Sequence, residues 1–373
     1  MKPKLESLDA VRAIACLFVV SFHAYLTLFG YSGLSMFFVL SGFLSAYNYA
    51  DRDSVKRMGA KESAVFSIKK IAKLYPLHIA MLLIPLAGQI YGLVNGLVAP
   101  ARLFEKLAAN ALLVHAWIPL NDFYFSFNVP SWYLSVGLFL YFMLPVVLRA
   151  MDRYASPKAA YAAIGLIFLA QAVAADIASG LYARLYAPGM ETAEAFDQWF
   201  TQVLPAYRLG DFAIGCNLAY IYMNRKPRKA STARATAFEA AAVLVWAAAE
   251  FAFERLNAAR FVSTTELFIL PSALIVYSFA CGEGYISRAL TNRAARLISD
   301  LSSDIYLIHF VAIMTGSIIT THLPLPESAQ KLAFVQEAAV DEIMVLEPSE
   351  GAGIIGRRVA DRRRLQPRQS VFP

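Results

Sequence analysis

Apolar residues in this chain gather into runs of about twenty, separated by short polar stretches rich in lysine and arginine. A helix of roughly 20 predominantly apolar residues is what crosses a bilayer's hydrocarbon core. The runs predict spans near 8–30, 33–50, 74–96, 131–150, 159–180, 202–223, 236–254, 263–281 and 303–321. A further apolar stretch, 103–118, opens with Arg102, Glu105 and Lys106, which favours a surface helix over a span. The fold class expected is all-α: a polytopic transmembrane helix bundle with about nine visible spans.

Composition agrees. Of 373 residues 58% are hydrophobic and only 16% charged, against about 25% charged in soluble domains. Mean hydropathy is +0.50. The net charge of +7 would suit nucleic acid, but its distribution has another cause. With nine spans, 20 basic residues fall on the amino-terminal side of the membrane and five (Arg102, Lys106, Arg184, Arg255, Arg260) on the other. The positive-inside rule then places the amino terminus in the cytoplasm. No nucleic-acid partner is implied; membrane lipids are. The first helix lacks a small-residue cleavage site and keeps Arg12 within its run, so it reads as retained. Cys16, Cys216 and Cys281 lie in apolar runs without metal-ligand spacing, so they read as packing residues and no metal is expected.

Residues 1–322 form one transmembrane domain in this reading, and 323–373 an atypical tail. The stretch 323–346 is broken by Pro324, Pro326 and five charged residues, and the end, GRRVADRRRLQPRQ, adds six arginines that nine spans would leave outside. A truncated or altered carboxyl terminus and a disordered basic tail are the two expectations.

The first span carries the chemistry. Arg12 and His23 are eleven residues apart, so they share a helix face and sit ~16 Å apart along the axis. An ionisable group in a bilayer is costly and normally faces a bundle interior or a wet cavity. His23 is either a base or a core histidine bonded to a neighbouring helix. Arg12 either binds an anion or snorkels to headgroups, paired with Asp9. Ser302, Tyr306 and His309 make a polar stripe on the ninth span, as site lining or as interhelical glue. Arg208 and Asp211 suit an ion pair in the sixth. His115 and His322 fall in expected external segments and His78 near a basic entrance, and none is given a role.

Six segments in order carry a resemblance: LDAVRAIACLFVVSFHAY (8–25), GLSMFFVLSGFL (33–44), KKIAKLYPLH (69–78), PSWYLSVGLFLYFMLP (130–145), YRLGDFAIG (207–215) and SDLSSDIYLIHF (299–310). Together they resemble membrane-bound acyltransferase family 3, over roughly residues 5–321, and most of all its exopolysaccharide and lipid-linked sugar branch. The resemblance implies an integral membrane O-acyltransferase. Such an enzyme moves an acyl group, often acetyl, from cytoplasmic acyl-coenzyme A (acetyl-CoA) to a hydroxyl of a glycan or lipid-linked sugar in the cell envelope. It also implies that His23 is the catalytic histidine, that Arg12 contacts the donor or a developing negative charge, and that His309 lines the site. Lys69, Lys70 and Lys73 stand in a motif where the family usually has arginines, and they suit phosphate contacts to coenzyme A as well as they suit topology-setting charge.

Two positions depart from the family pattern. Gly137 replaces a motif glutamate, removing a carboxylate able to orient a histidine, and Ser35 stands where many members have aspartate. A catalytically impaired member acting as a scaffold is therefore one alternative. A sugar or lipid-linked oligosaccharide transporter is another, although internal repeats are not evident.

Overall fold

The computed structural model describes residues 2–24, 26–27, 29–96, 99–185, 190–225, 231–256 and 264–322. Fifteen α-helices follow one another: α1 Ser7–His23, α2 Gly30–Tyr49, α3 Asp53–Lys56, α4 Ala60–Ile71, α5 Tyr75–Val94, α6 Pro100–Ala111, α7 Asn121–Tyr124, α8 Trp132–Met151, α9 Pro157–Leu185, α10 Ala193–Gln198, α11 Pro205–Asn224, α12 Thr232–Leu256, α13 Thr264–Cys281, α14 Tyr285–Leu290 and α15 Arg293–His322. No strand occurs among the described residues. Each of the nine apolar runs is a helix. The all-α, multi-pass membrane architecture follows.

Two ends differ from the sequence expectation. The first span stops at His23 instead of near residue 30: the Ala24 N–H still bonds to Val20 O, and the chain then turns before α2 starts at Gly30. The last helix begins ten residues earlier than the apolar run, at Arg293, because its polar first turns are helical although too polar for lipid. The 323–373 tail lies outside the described residues.

Five described segments are long and apolar enough to cross a membrane: Tyr75–Val94, Val129–Met151, Pro157–Leu185, Thr232–Phe253 and Arg293–Ser317. The helices that miss this measure include the most enclosed ones. In α2 fifteen of twenty residues are buried. It packs along α1, α11 and α13, so protein rather than lipid is its solvent and polar residues are tolerated. By contrast α9 buries only Ala160, Gln171 and Ala175, and turns Leu166, Leu169, Val173, Ile177 and Leu181 outward. A continuous apolar face of this kind is a lipid-facing surface in a membrane protein.

The α2–α11 contact is the tightest in the bundle. A Cβ on Gly42 would collide with the Phe212 carbonyl, and one on Gly215 with the Val39 carbonyl. Small residues let two membrane helices approach backbone to backbone, where packing replaces the missing hydrophobic drive. Beside this seam Arg208 and Asp211 pair at 2.7 Å, 1% and 0% exposed, and the Gln171 amide from α9 donates to the second Asp211 oxygen at 2.9 Å. The pairing read from the sequence is present. It works as a buried, satisfied anchor.

Helix ends that alternate topology assigns to one side do meet. Lys2–Asp51 (2.6 Å), Lys56–Asp152 (2.6 Å), Arg225–Glu283 (3.7 Å) and Arg296–Glu6 (3.0 Å) tie together the start of α1 and the ends of α2, α8, α11 and α13. Glu239 of α12 is buried and caps α14, accepting from the Gly284, Ile286 and Ser287 N–H groups.

At the opposite end α6 is the expected surface helix. Arg102 and Lys106 both clasp Asp122; burial works against the charged carboxylate, yet these two cations hold it below the usual range. The connection from α6 to α8 departs from expectation. It folds inward, with Leu113 in the left-handed region at φ 54°, and His115 is fully buried near the Ser131 hydroxyl (3.3 Å). The sequence reading gave His115 no role because it falls in an expected external segment, and nothing local signals that this segment folds inward.

Candidate functional site

Helix α1 packs on α15 and α2, and its His23 ring meets His309 and Phe310 of α15. Near its start Asp9 accepts from Ser299 (3.1 Å) and pairs with Lys4 (2.8 Å). The Asp9–Arg12 pairing considered from sequence is thus not formed. Among the described residues Arg12 makes no hydrogen bond or ion pair, although it is only partly exposed. A guanidinium carries five donors, and leaving them unmatched inside a bundle is expensive. The Arg12 donors are thus available to a ligand or to water.

At the other end of α1, His309 Nε2 lies 3.1 Å from His23 Nδ1. His309 Nδ1 sits 2.8 Å from Tyr306 O and 3.2 Å from Ile305 O, and His23 Nδ1 sits 2.9 Å from Val19 O. Carbonyl oxygens only accept, so His309 Nδ1 carries the hydrogen and its Nε2 the lone pair. His23 Nδ1 then faces two acceptors and must carry a hydrogen as well. The neutral His23 ring is left with its lone pair on Nε2, which has no partner among the described residues. That atom is free to take a proton.

From this pair a line of rings leads back along the bundle. Tyr306 is 5.7 Å from His309, Tyr133 is 4.9 Å from Tyr306, and Phe37 and Phe38 close in from α2. The Tyr133 phenol lies within electrostatic reach of Tyr141, Arg12 and Arg208. Tyr141 meets Phe66 of α4, and Lys70 sits over Phe66 (5.3 Å) and Tyr49 (4.6 Å), also donating to the Tyr49 hydroxyl. Lys69 and Lys73 are exposed. Among the expected site residues, then, His23, His309 and Tyr306 are in one cluster. Arg12 and Lys70 connect to it through tyrosines. Ser302 instead turns its hydroxyl onto Ser299 O of its own helix (2.7 Å), in the seam where Cys16 reaches Ser302 O.

Sequence reasoning missed Tyr133 and the Val19 carbonyl. A tyrosine among apolar letters reads as core, and a backbone oxygen carries no residue signal. Gly137 faces Ile71: a Cβ there would meet only Ile71 Cδ1, at 3.4 Å. The histidine pair takes its orientation from backbone carbonyls on α1 and α15, so it does not depend on a carboxylate at 137. Ser35 is fully buried and its hydroxyl has no partner among the described residues.

A cavity of about 1310 Å³ opens at the Ser7 end, lined by Lys2, Lys56, Arg225 and Arg234 but also by Asp51, Asp152 and Glu283. Three of its four cations are already matched to carboxylates, which makes it a poor trap for an anion compared with unpaired Arg12.

The family model described as an acyltransferase domain, acyltransferase 3, matches residues 5–335. The chain is similar to acyltransferase MdmB of Streptomyces mycarofaciens, 26% identical over 331 residues, which covers 84% of this chain and 80% of the relative. No solved structure matches. Together with a bundle of membrane-spanning helices, the match over nearly the whole chain makes this protein a member of the acyltransferase 3 family, a multi-pass membrane enzyme that transfers acyl groups.

Proposed function

We propose that the protein takes an acyl group, acetyl by expectation, from acyl-coenzyme A on the cytoplasmic side of a bacterial inner membrane and places it on a hydroxyl of a cell-envelope or exported glycan. The amino terminus is cytoplasmic in this reading, as the basic loops imply. Arg12, with Lys69, Lys70 and Lys73, holds the donor's phosphates. Tyr306 and His309 line the reacting end, and Ser302 secures the α1–α15 seam behind it.

His23 Nε2 takes the acceptor hydroxyl proton as the oxygen attacks the thioester carbonyl carbon. The tetrahedral intermediate collapses with cleavage of the carbon–sulfur bond. The leaving thiolate recovers the proton from the His23 imidazolium, giving an ester and free coenzyme A. His309 Nε2 accepts from His23 Nδ1–H throughout, which stabilises the imidazolium that forms in the transition state. The observation that carries this reading is the free Nε2 lone pair on the helix face that also presents unpaired Arg12.

The test is transfer of label from [14C]acetyl-coenzyme A to envelope glycan in membranes with wild-type protein, with the His23→Ala variant, and without the protein. Label that depends on the protein and on His23 supports the reading. Equal labelling in all three membranes sinks it, and would favour the transporter or inert scaffold.

A further inference from the structure

Most glycines here have an evident use: Gly42 and Gly215 allow backbones to touch, Gly30, Gly210 and Gly284 leave room for the side chains of Phe22, Gln171 and Glu239, and Gly88, Gly165 and Gly180 meet nothing within 4 Å but lie on exposed faces. Half-buried Gly316 of α15 meets nothing either, and Gly137 fits none of these groups. It is half-buried, in the middle of α8, without a positive φ, and no backbone approaches it; the tip of Ile71 is its one neighbour. A mid-helix glycine weakens a helix, so an enclosed one with no packing reason suggests room kept for something else.

Its flanks say what kind of thing. Tyr133, Gly137 and Tyr141 stand at i, i+4 and i+8, one face of α8 over ~12 Å. Neither phenol has a hydrogen-bond partner among the described residues, and the two lie within electrostatic reach of each other. One end of the face leads through Phe66 to Lys70, the other through Tyr306 to His309 and His23. The face therefore offers two hydrogen-bonding groups with a gap between them, running from a cation to the base.

We propose that this face of α8 is the slot for the pantetheine arm of the donor, with Gly137 supplying its width and the Tyr133 and Tyr141 hydroxyls bonding to its amides. This rests on acyl-coenzyme A being the donor. The arm is a flexible chain with two amide groups, joining phosphates to a thioester. A slot with a polar group on each side of an open glycine matches that order of chemistry.

The experiment compares binding of coenzyme A and of 3′-phospho-ADP, which lacks the arm, to the full-length protein in lipid nanodiscs. Wild type is expected to bind coenzyme A more tightly. Gly137→Leu should weaken coenzyme A about tenfold, toward the value for 3′-phospho-ADP, and leave 3′-phospho-ADP unchanged. Tyr133→Phe and Gly137→Ala, the latter an ordinary contact with Ile71, should shift coenzyme A alone by a smaller factor. They carry the test if Gly137→Leu does not fold. Gly165→Leu on the outer face of α9 should change neither. Coenzyme A affinity unaltered in the α8 variants, or both ligands weakened together, overturns the slot. Wild type binding both ligands equally also removes it while sparing the donor assignment. Wild type binding neither removes the donor assignment itself, and the slot with it.

Discussion

His309 donates its own Nδ1–H to backbone carbonyls of α15 and presents Nε2 to His23 Nδ1 at 3.1 Å. One imidazole thus fixes the tautomer of the other, and in the proposed mechanism this aims the base without any carboxylate. General-base catalysis is worth about 10²–10⁴ in rate. His23→Ala is therefore expected to lower acyl transfer by at least that order while leaving membrane insertion intact, measured by labelled acetyl transfer beside detergent-extracted yield. His309→Phe removes a hydrogen bond worth about 0.5–1.5 kcal/mol to the neutral ring but about 1.5–3 kcal/mol to the imidazolium of the transition state, and the difference should cost roughly five- to tenfold. A His309→Phe loss as large as that of His23→Ala would mean that His309 reacts directly.

Arg12 should show itself in donor affinity. A hydrogen bond to a charged group contributes about 1.5–3 kcal/mol, or roughly 10–150-fold. Arg12→Gln should raise the KM for acyl-coenzyme A within that range and change kcat less. Arg12→Lys should recover only part, since an ammonium lacks the planar fork. An unchanged KM in Arg12→Gln would return Arg12 to a headgroup-facing role.

The α2–α11 seam predicts stability rather than chemistry. Gly215→Ala sets a Cβ against the Val39 carbonyl, and forcing atoms into a packed interface typically costs about 1–3 kcal/mol. Thermal unfolding in detergent should shift down for Gly215→Ala and Gly42→Ala. The same change at exposed Gly165 meets no neighbour and should raise it slightly, since a mid-helix glycine costs about 0.5–1 kcal/mol relative to alanine.

The buried connection between α6 and α8 predicts a pH dependence. Burial, with the nearby His78 adding to it, pushes the His115 imidazole down to about 3. In the unfolded chain it titrates near the ordinary 6.5. Below that value the unfolded state binds a proton that the folded state refuses. Stability is full above about pH 6.5 and falls as pH drops toward 3, by up to about 1.4 kcal/mol per unit. His115→Gln should flatten the midpoint-versus-pH curve across pH 4–6.5, and an unflattened curve would assign the acid sensitivity to other groups.

The order of helices was legible because a bilayer imposes its thickness on any chain that crosses it. Runs of about twenty apolar residues foretold α5, α8, α9 and α12 closely. They were a poorer guide to the end of α1, where the chain turns after His23, and to the start of α15, whose first turns are helical but polar. The periodicity of one helix also sufficed to put Arg12 and His23 on a common face.

What the linear pattern determined, then, was which residues share a helix and which helices cross. Only tertiary structure decided what those residues meet. His309 is 286 positions from His23, the Val19 carbonyl is invisible in a string of side chains, and Asp9 was drawn to Lys4 and Ser299 rather than to Arg12. Helix geometry is local and repeats every turn, so it can be read from spacing. Which face of one helix turns toward which face of another depends on how side chains and glycines of distant segments fit together.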